Sequence, residues 1–176
     1  MDIFTLGHST RPLEDFVALL KAHGIETLAD IRTVPKSRFN PQFNHDNLAI
    51  EMPRIGIRFI HLKGLGGLRH ARPDSTNTGW ENPDFRGYAD YMQTEAFAAA
   101  VEELIAMASS SRIALMCAEG NPAQCHRNLL ADALVARGIT VLHISSRKSA
   151  RPHKLASFAH VEGTRVTYPP LQPNLL

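Results

Sequence analysis

The stretch RIALMCAEGNPAQCHR, residues 112–127, joins an apolar run to a Gly-Asn-Pro turn and then to a helical pattern. A short apolar run bounded by such a turn is typical of a buried strand, and residues 128–137 continue as a helix that ends at Gly138. A strand followed by a helix in this way is half of a β-α-β unit. A parallel sheet is therefore the expected architecture.

Four further runs rich in β-branched and apolar residues alternate with helical patterns along the chain. The five predicted strands are residues 3–7, 27–32, 58–62, 112–117 and 140–144. The predicted helices are residues 13–23, 45–54 and 128–137, with one or two more from residue 83 to residue 108. We predict an α/β fold, a single three-layer domain over residues 1–168 with a mainly parallel five-stranded sheet, and an extended C-terminal tail over residues 169–176.

Composition favours one globular domain, because 44% of the 176 residues are hydrophobic and 20% are charged. No segment approaches the roughly 18 consecutive apolar residues that a membrane span needs, and the first apolar run is too short for a signal peptide. We therefore expect a cytoplasmic protein without a membrane partner, whose two cysteines are reduced.

The last third of the chain is basic. Residues 111–176 hold eight Lys and Arg against three Asp and Glu, and much of this charge lies in residues 145–154. Such a tract suits an anionic small molecule or a nucleic acid, although a solvated basic surface explains it almost as well. Residues 64–82 lack periodicity and are read as a binding loop or a flexible excursion.

Polar residues follow the predicted strands, and ligands of open parallel sheets bind beyond the carboxyl ends of the strands. The candidates at or near these strand ends are His8, Ser9, Thr10, Arg11, Asp30, Arg32, Cys117 and Glu119. Asp30 has the alternative role of orienting Arg32 or Arg11 through an ion pair. The convergence predicts a site at this edge of the sheet.

The turn after the fourth strand predicts a helix that begins close to Pro122 or Ala123 and aims its free N–H groups at the crevice. Cys125 would then lie in the first helical turn, where a thiolate is favoured. Arg127 is suited to neutralise a bound anion. The turn and helix together predict an anion cradle beside a reactive thiol.

Proton transfer at this site is assigned to Glu119 as an acid or base and to His8 or His126 as a proton carrier. Cys117 is a second candidate nucleophile, but it also closes an apolar strand, where cysteine is commonly a small buried hydrophobe. Whether either cysteine is reactive or structural stays open at this point.

The spacing of residues around Cys117 and Cys125 does not match three known kinds of cysteine site. A cysteine phosphatase needs an arginine six positions after its thiolate, and Ala123 stands there. The cradle loop of a sulfurtransferase usually carries a cation, yet no Arg or Lys follows within five residues of Cys117. A zinc site built on Cys117, Cys125, His126 and His8 is disfavoured, because the seven residues between the cysteines match no common close ligand pair. No metal or other cofactor is predicted.

Residues 30–44 add Lys36, Arg38 and the aromatic Phe39 and Phe43 in a proline-punctuated loop. Basic residues interleaved with aromatic rings can hold a phosphate backbone and stack on bases, although both rings can equally be core anchors. His153 and four other histidines lie in predicted loops or helix ends, and we expect them to be exposed to solvent.

Several segments together resemble a bacterial and archaeal family known as the DUF488 domain proteins. The matching pieces are TLGHSTR at residues 5–11, GIETLADIRTVPKSRFNPQFN at 24–44, GIRFIHLKGLGG at 56–67, LMCAEGNPAQCHR at 115–127 and HIS at 143–145. The resemblance implies an α/β fold and a site formed by the segments around Arg11, Arg38 and Arg127. It implies no reaction, and Thr33 departs slightly from the family pattern.

The leading hypothesis is an enzyme that binds a phosphate-containing substrate, a nucleotide or nucleic acid, in a crevice of Cys, His and Arg side chains. Arg11, Arg32, Arg38 and Arg127 would hold the anion, and a cysteine would supply a thiolate. One alternative is a non-catalytic module that binds nucleic acid or nucleotides. The other is a thiol redox or sulfur-transfer protein.

Overall fold

All the predicted strands lie in one sheet of a computed structural model that describes residues 1–171. The strands are β1 (Asp2–Gly7), β2 (Thr27–Asp30), β3 (Arg58–His61), β4 (Ile113–Cys117), β5 (Thr140–Ser146) and β6 (Ser149–Pro152). The α-helices are α1 (Leu13–Ala22), α2 (His45–Arg54), α3 (Pro83–Tyr91), α4 (Glu95–Ala108) and α5 (Arg127–Ala136). A small separate hairpin consists of β7 (His160–Glu162) and β8 (Arg165–Thr167).

Strand order in the main sheet is β3-β2-β4-β1-β5-β6, and every pairing among the first five strands is parallel. The sixth strand, β6, pairs with β5 in the antiparallel direction and is the one strand of this sheet that the sequence prediction lacked. It holds Arg151 and ends at Pro152, and such residues are tolerated on an edge strand because one side of its backbone has no partner. The strand pattern is therefore weak in the sequence.

Side chains alternate between two hydrophobic clusters, one on each face of the sheet. In β4, Leu115 and Cys117 belong to the cluster that also holds residues of α3, α4 and α5. Ala114 and Met116 belong to the second cluster, with residues of α1 and α2. The sheet therefore lies between two groups of helices in a single mixed α/β domain, as predicted.

A crevice forms where neighbouring strands send their chains to opposite faces of the sheet. From β1 the chain continues to α1 on one face, and from the adjacent β4 it continues to α5 on the other. The carboxyl ends of these two strands, at Gly7 and Cys117, lie side by side. In open parallel sheets this arrangement leaves a crevice for ligands.

The segment of residues 64–82 is anchored to α3. The Asp90 carboxylate accepts hydrogen bonds from the backbone of Arg72 at 2.8 Å and from the side chains of Ser75 at 2.6 Å and Asn77 at 2.8 Å. Asn77 in turn accepts from the backbone N–H of Tyr168 at 2.9 Å. The predicted tail of residues 169–176 extends beyond the described residues from position 172 onward. No helix within residues 1–171 is both long enough and apolar enough to cross a membrane.

Candidate functional site

The loop after β4 folds directly across the end of β1. The backbone N–H of His8 donates to the carbonyl of Cys117 at 2.9 Å, and that of Ser9 donates to the carbonyl of Ala118 at 3.0 Å. A Cβ atom on Gly7 would lie 1.7 Å from the Glu119 carbonyl oxygen, a distance that no side chain tolerates. Glycine at position 7 is thus required for the loop to approach the strand.

The two cysteine sulfurs lie against each other beneath this loop. The Sγ atoms of Cys117 and Cys125 are 2.8 Å apart, and both residues are free and buried. This distance is longer than the roughly 2.05 Å of a disulfide bond, so the two sulfurs are unbonded neighbours.

The helix after the turn begins later than the sequence predicted. A 3₁₀ turn occupies Pro122–Gln124, started by Pro122 and by the Asn121 side chain, which accepts from the backbone of Ala123 at 3.0 Å. Cys125 then adopts an extended conformation, and α5 starts at Arg127. Cys125 therefore precedes the helix and does not lie in its first turn. The start of the helix still favours a thiolate at Cys125, because the backbone N–H of Arg127 donates to the Cys125 sulfur at 3.5 Å.

His126 connects the thiols to the end of β2. Its Nε2 lies 3.0 Å from the carbonyl of Ile31 and must be the protonated donor there, because a carbonyl only accepts. Its Nδ1 lies 3.6 Å from the Cys125 sulfur. A Cβ on Gly67 would lie 2.4 Å from that Nδ1, so the glycine makes room for the ring. A protonated His126 would complete an imidazolium-thiolate pair with Cys125.

The surroundings shift the pKa values of the two cysteines in opposite directions. The pKa of Cys125 is lowered by the hydrogen bond from Cys117, and further by His126 and by the Arg127 backbone. Burial raises the pKa of Cys117, and the adjacent Cys125 raises it further. Donors therefore surround Cys125, while Cys117 has the carbonyl of Glu119 as an additional acceptor at 3.5 Å. Of the two thiols, Cys125 is therefore the one whose surroundings favour ionisation.

A cavity of about 370 Å³ is lined by both Cys117 and Cys125, and we call it the thiol pocket. Its walls come from within four segments, residues 32–36, 67–68, 84–85 and 117–126. Of the predicted site residues it brings together Arg32, Cys117, Glu119, Cys125 and His126. Sequence reasoning missed the apolar wall residues Val34 and Leu68, which lie in loops, and Phe85, which lies in α3. No periodic pattern in the sequence marks these three residues as part of a site.

Arg32 lines this pocket with its guanidinium already engaged. It forms a buried bidentate pair with Asp30, with the closest N···O distance 2.7 Å, and donates to the carbonyl of Phe43 at 2.7 Å. Its Nη1 lies 3.3 Å from Nε2 of His8. The other nitrogen of His8 contacts the carbonyl of Ser9 at 2.8 Å, and burial lowers the pKa of the ring. Asp30 orients Arg32, one of the two roles predicted for it, and His8 supports that pair.

Two further predicted arginines lie outside the pocket lining. Arg127 is buried, and its Nη2 donates to the carbonyl of Gly120 at 2.8 Å, while its Nε and Nη1 have no hydrogen-bond partner among residues 1–171. Arg11 donates to the carbonyl of Gly7. Arg11 thus binds the backbone at the end of β1, and Arg127 binds the backbone of the loop after β4.

The remaining predicted residues are exposed or half-buried. Thr10, Arg38 and Glu119 are exposed, and of these Glu119 lines the thiol pocket. Ser9 has a φ of 52°, an uncommon conformation that turns the chain sharply after β1. The basic tract of residues 145–154 forms the end of β5, the hairpin turn and β6, and none of its residues lines the pocket.

A buried polar chain lies on the α5 face of the sheet and was not predicted. The Asp132 carboxylate accepts from Nε2 of His153 at 2.7 Å and from the Tyr168 hydroxyl at 2.7 Å. Nδ1 of His153 lies 2.9 Å from Nε2 of His143, and Nδ1 of His143 lies 2.6 Å from the Thr5 hydroxyl. The prediction that His153 is exposed is wrong, because its side chain is only 4% exposed. An acidic residue inside the apolar run LLADALVA was the available signal.

The fold and site define a class of protein, an open, mainly parallel α/β domain with two adjacent free cysteines after a central strand of its sheet. The chain matches the family described as Domain of unknown function DUF488 over residues 12–134, and it belongs to that family. No curated protein and no solved structure matches the chain. Within residues 1–171 no group of three or more His, Cys, Asp or Glu side chains is arranged to hold a metal ion.

Proposed function

We propose that this protein is a dithiol oxidoreductase that exchanges its Cys117 and Cys125 thiols with disulfide substrates. The observation that carries the proposal is the 2.8 Å contact between the two sulfurs at the base of an open pocket. Forming a disulfide would require the sulfurs to close by only about 0.8 Å.

Cys125 is the attacking group, because its surroundings favour ionisation and it lines the pocket. Its sulfur attacks one sulfur of a disulfide R–S–S–R, the S–S bond of the substrate breaks, and R–S⁻ leaves. The product is a mixed disulfide between Cys125 and R. His126, 3.6 Å from the attacking sulfur, stabilises the thiolate before the attack.

Cys117 is the resolving group. Its sulfur attacks the Cys125 sulfur of the mixed disulfide, the second R–S⁻ leaves, and the proton of Cys117 passes to a departing thiolate. The sum converts the thiol-thiolate pair and R–S–S–R into a protein disulfide, one R–SH and one R–S⁻. A dithiol reductant then restores the pair by the reverse exchange.

The phosphate-binding enzyme, the leading hypothesis from the sequence, has less support from the arginines. Arg32 is paired with Asp30, Arg11 binds a backbone carbonyl, and Arg127 is buried outside the pocket lining. Of the four guanidiniums assigned to the anion, Arg38 alone is both exposed and without a hydrogen-bond or ion-pair partner among the described residues. A phosphate would therefore have to bind at Arg38, outside the residues that line the thiol pocket.

The experiment reacts native protein with 5,5′-dithiobis(2-nitrobenzoic acid) and counts the released chromophore. Wild-type protein should release about two equivalents rapidly and form the Cys117–Cys125 disulfide. Cys117→Ala should release about one and retain a mixed disulfide on Cys125, and Cys125→Ala should react slowly. Slow reaction of the wild type, or a mixed disulfide that persists in it, would contradict the proposal.

A further inference from the structure

The exposed side chains of residues 34–39, which we call the rim loop, have no assigned role in thiol exchange. Phe39 is 86% exposed and Val34 is 60% exposed. Lys36 and Arg38 are also exposed, and within the described residues neither forms an ion pair. The rim loop therefore exposes both aromatic and cationic groups to solvent.

Hydrogen bonds hold the rim loop in place. The backbone N–H of Ser37 donates to the Asn44 side chain at 2.7 Å, and the Ser37 hydroxyl accepts from the backbone of Asn40 at 3.0 Å. The carbonyl of Pro35 accepts from the backbone of His45 at 2.9 Å. The backbone is thus fixed on both sides of the loop, and the outward side chains are presented to solvent without further ordering of the chain.

The rim loop is continuous with the thiol pocket. Val34 and Lys36 line the pocket together with Cys125, and Phe39 lies three residues further along. A substrate whose sulfur reaches Cys125 would therefore extend over the rim loop if it were longer than the pocket.

The chemistry of the rim loop fits a nucleotide. Lys36 and Arg38 supply cations for phosphate oxygens, and the free face of Phe39 can stack on a base. The loop offers one exposed ring and two cations, which matches one nucleotide and is too small a platform for the successive bases of a nucleic-acid strand.

We infer that the rim loop binds the nucleotide portion of a small disulfide substrate whose sulfur enters the thiol pocket. This inference rests on the proposed thiol exchange, since it identifies the class of molecule that carries the exchanged sulfur. Stacking on Phe39 and phosphate contacts with Lys36 and Arg38 would position that molecule, and Cys125 would act on its disulfide.

The test measures ADP binding by calorimetry to the Cys125→Ala protein, so that redox chemistry does not contribute. ADP should bind, and Phe39→Ala or Arg38→Ala should each weaken binding by at least about fivefold. Two matched controls, Ile50→Ala at a 54% exposed apolar site and Lys148→Ala in the exposed basic hairpin, should leave binding unchanged. Inorganic phosphate and adenosine, each lacking half of the contacts, should bind more weakly than ADP.

Distinct results separate this inference from the proposed function. Absence of ADP binding in a protein that still reduces disulfides would overturn the nucleotide inference alone. ADP binding in a wild-type protein that fails thiol exchange would break the link between the rim loop and a sulfur substrate. Much tighter binding of a single-stranded oligonucleotide, lost on Phe39→Ala, would replace the small molecule with nucleic acid.

Discussion

Replacing Gly7 with alanine tests whether the loop after β4 holds the thiol pair together. The new Cβ would meet the Glu119 carbonyl oxygen at 1.7 Å and the Glu119 carbonyl carbon at 2.3 Å. Real Cβ contacts are essentially never shorter than 3.0 Å, so the loop would have to move away from β1 by more than an ångström. Such a displacement breaks the hydrogen bonds from His8 and Ser9 that join the two segments.

The energetic cost follows from those contacts. Two lost hydrogen bonds at about 1 kcal/mol each, together with about 1–3 kcal/mol for overpacking, lower the free energy of unfolding by about 3–5 kcal/mol. The same displacement separates Cys117 from Cys125, so the pKa of Cys125 should rise toward that of an ordinary thiol. Urea unfolding measures the first effect, and the pH dependence of Cys125 alkylation measures the second.

Gly120→Ala is the matched control in the same loop. A Cβ there would meet Ser9 at 3.6 Å, an ordinary contact, so its free energy of unfolding should change by less than about 1 kcal/mol. If Gly7→Ala were as stable as Gly120→Ala and kept the wild-type thiol reactivity, the close approach of loop and strand would be refuted.

Three further perturbations test other parts of the structure. Cys117→Ala removes the strongest donor to Cys125, so the pKa of Cys125 should rise, and alkylation of the variant should require higher pH than in the wild type. Burial lowers the pKa of His143 from 6.5 to about 4, so folding favours the neutral ring. As pH falls from 6.5 to 4, the free energy of unfolding of the wild type should decrease by on the order of 2 kcal/mol, a value reduced to allow for the partial exposure of the ring. The free energy of unfolding of His143→Gln should decrease less over the same pH range. Asp30→Asn leaves the Arg32 guanidinium buried without its carboxylate and should cost about 3–5 kcal/mol in urea unfolding, whereas Glu51→Gln, which breaks an exposed pair, should cost less than about 1 kcal/mol.

The parallel strands and their helices were predictable because each carries a strong local pattern. The apolar run before Cys117 and the helical spacing in α4 stand out in sequence, and both are confirmed. The edge strand β6 was not predictable, since its pairing depends on the antiparallel turn after β5 and its sequence, Ser-Ala-Arg-Pro, has no β-branched or aromatic residue.

The site was only partly predictable for a related reason. Sequence spacing brought attention to Cys117 and Cys125, but their contact depends on a 3₁₀ turn that delays the start of α5 to Arg127. Burial of Arg127 beneath the loop and of His153 beside Asp132 depends on long-range packing, which local patterns do not encode.

The most direct test of the thiol-thiolate pair is the rate of iodoacetamide alkylation of native protein across pH, with the modified cysteine located by peptide mass spectrometry. Cys125 should react at a rate that stays constant well below the pKa of about 8.5 of a free thiol, while Cys117 should resist modification. A rate on Cys125 that falls about tenfold for each pH unit below 8 would contradict this prediction.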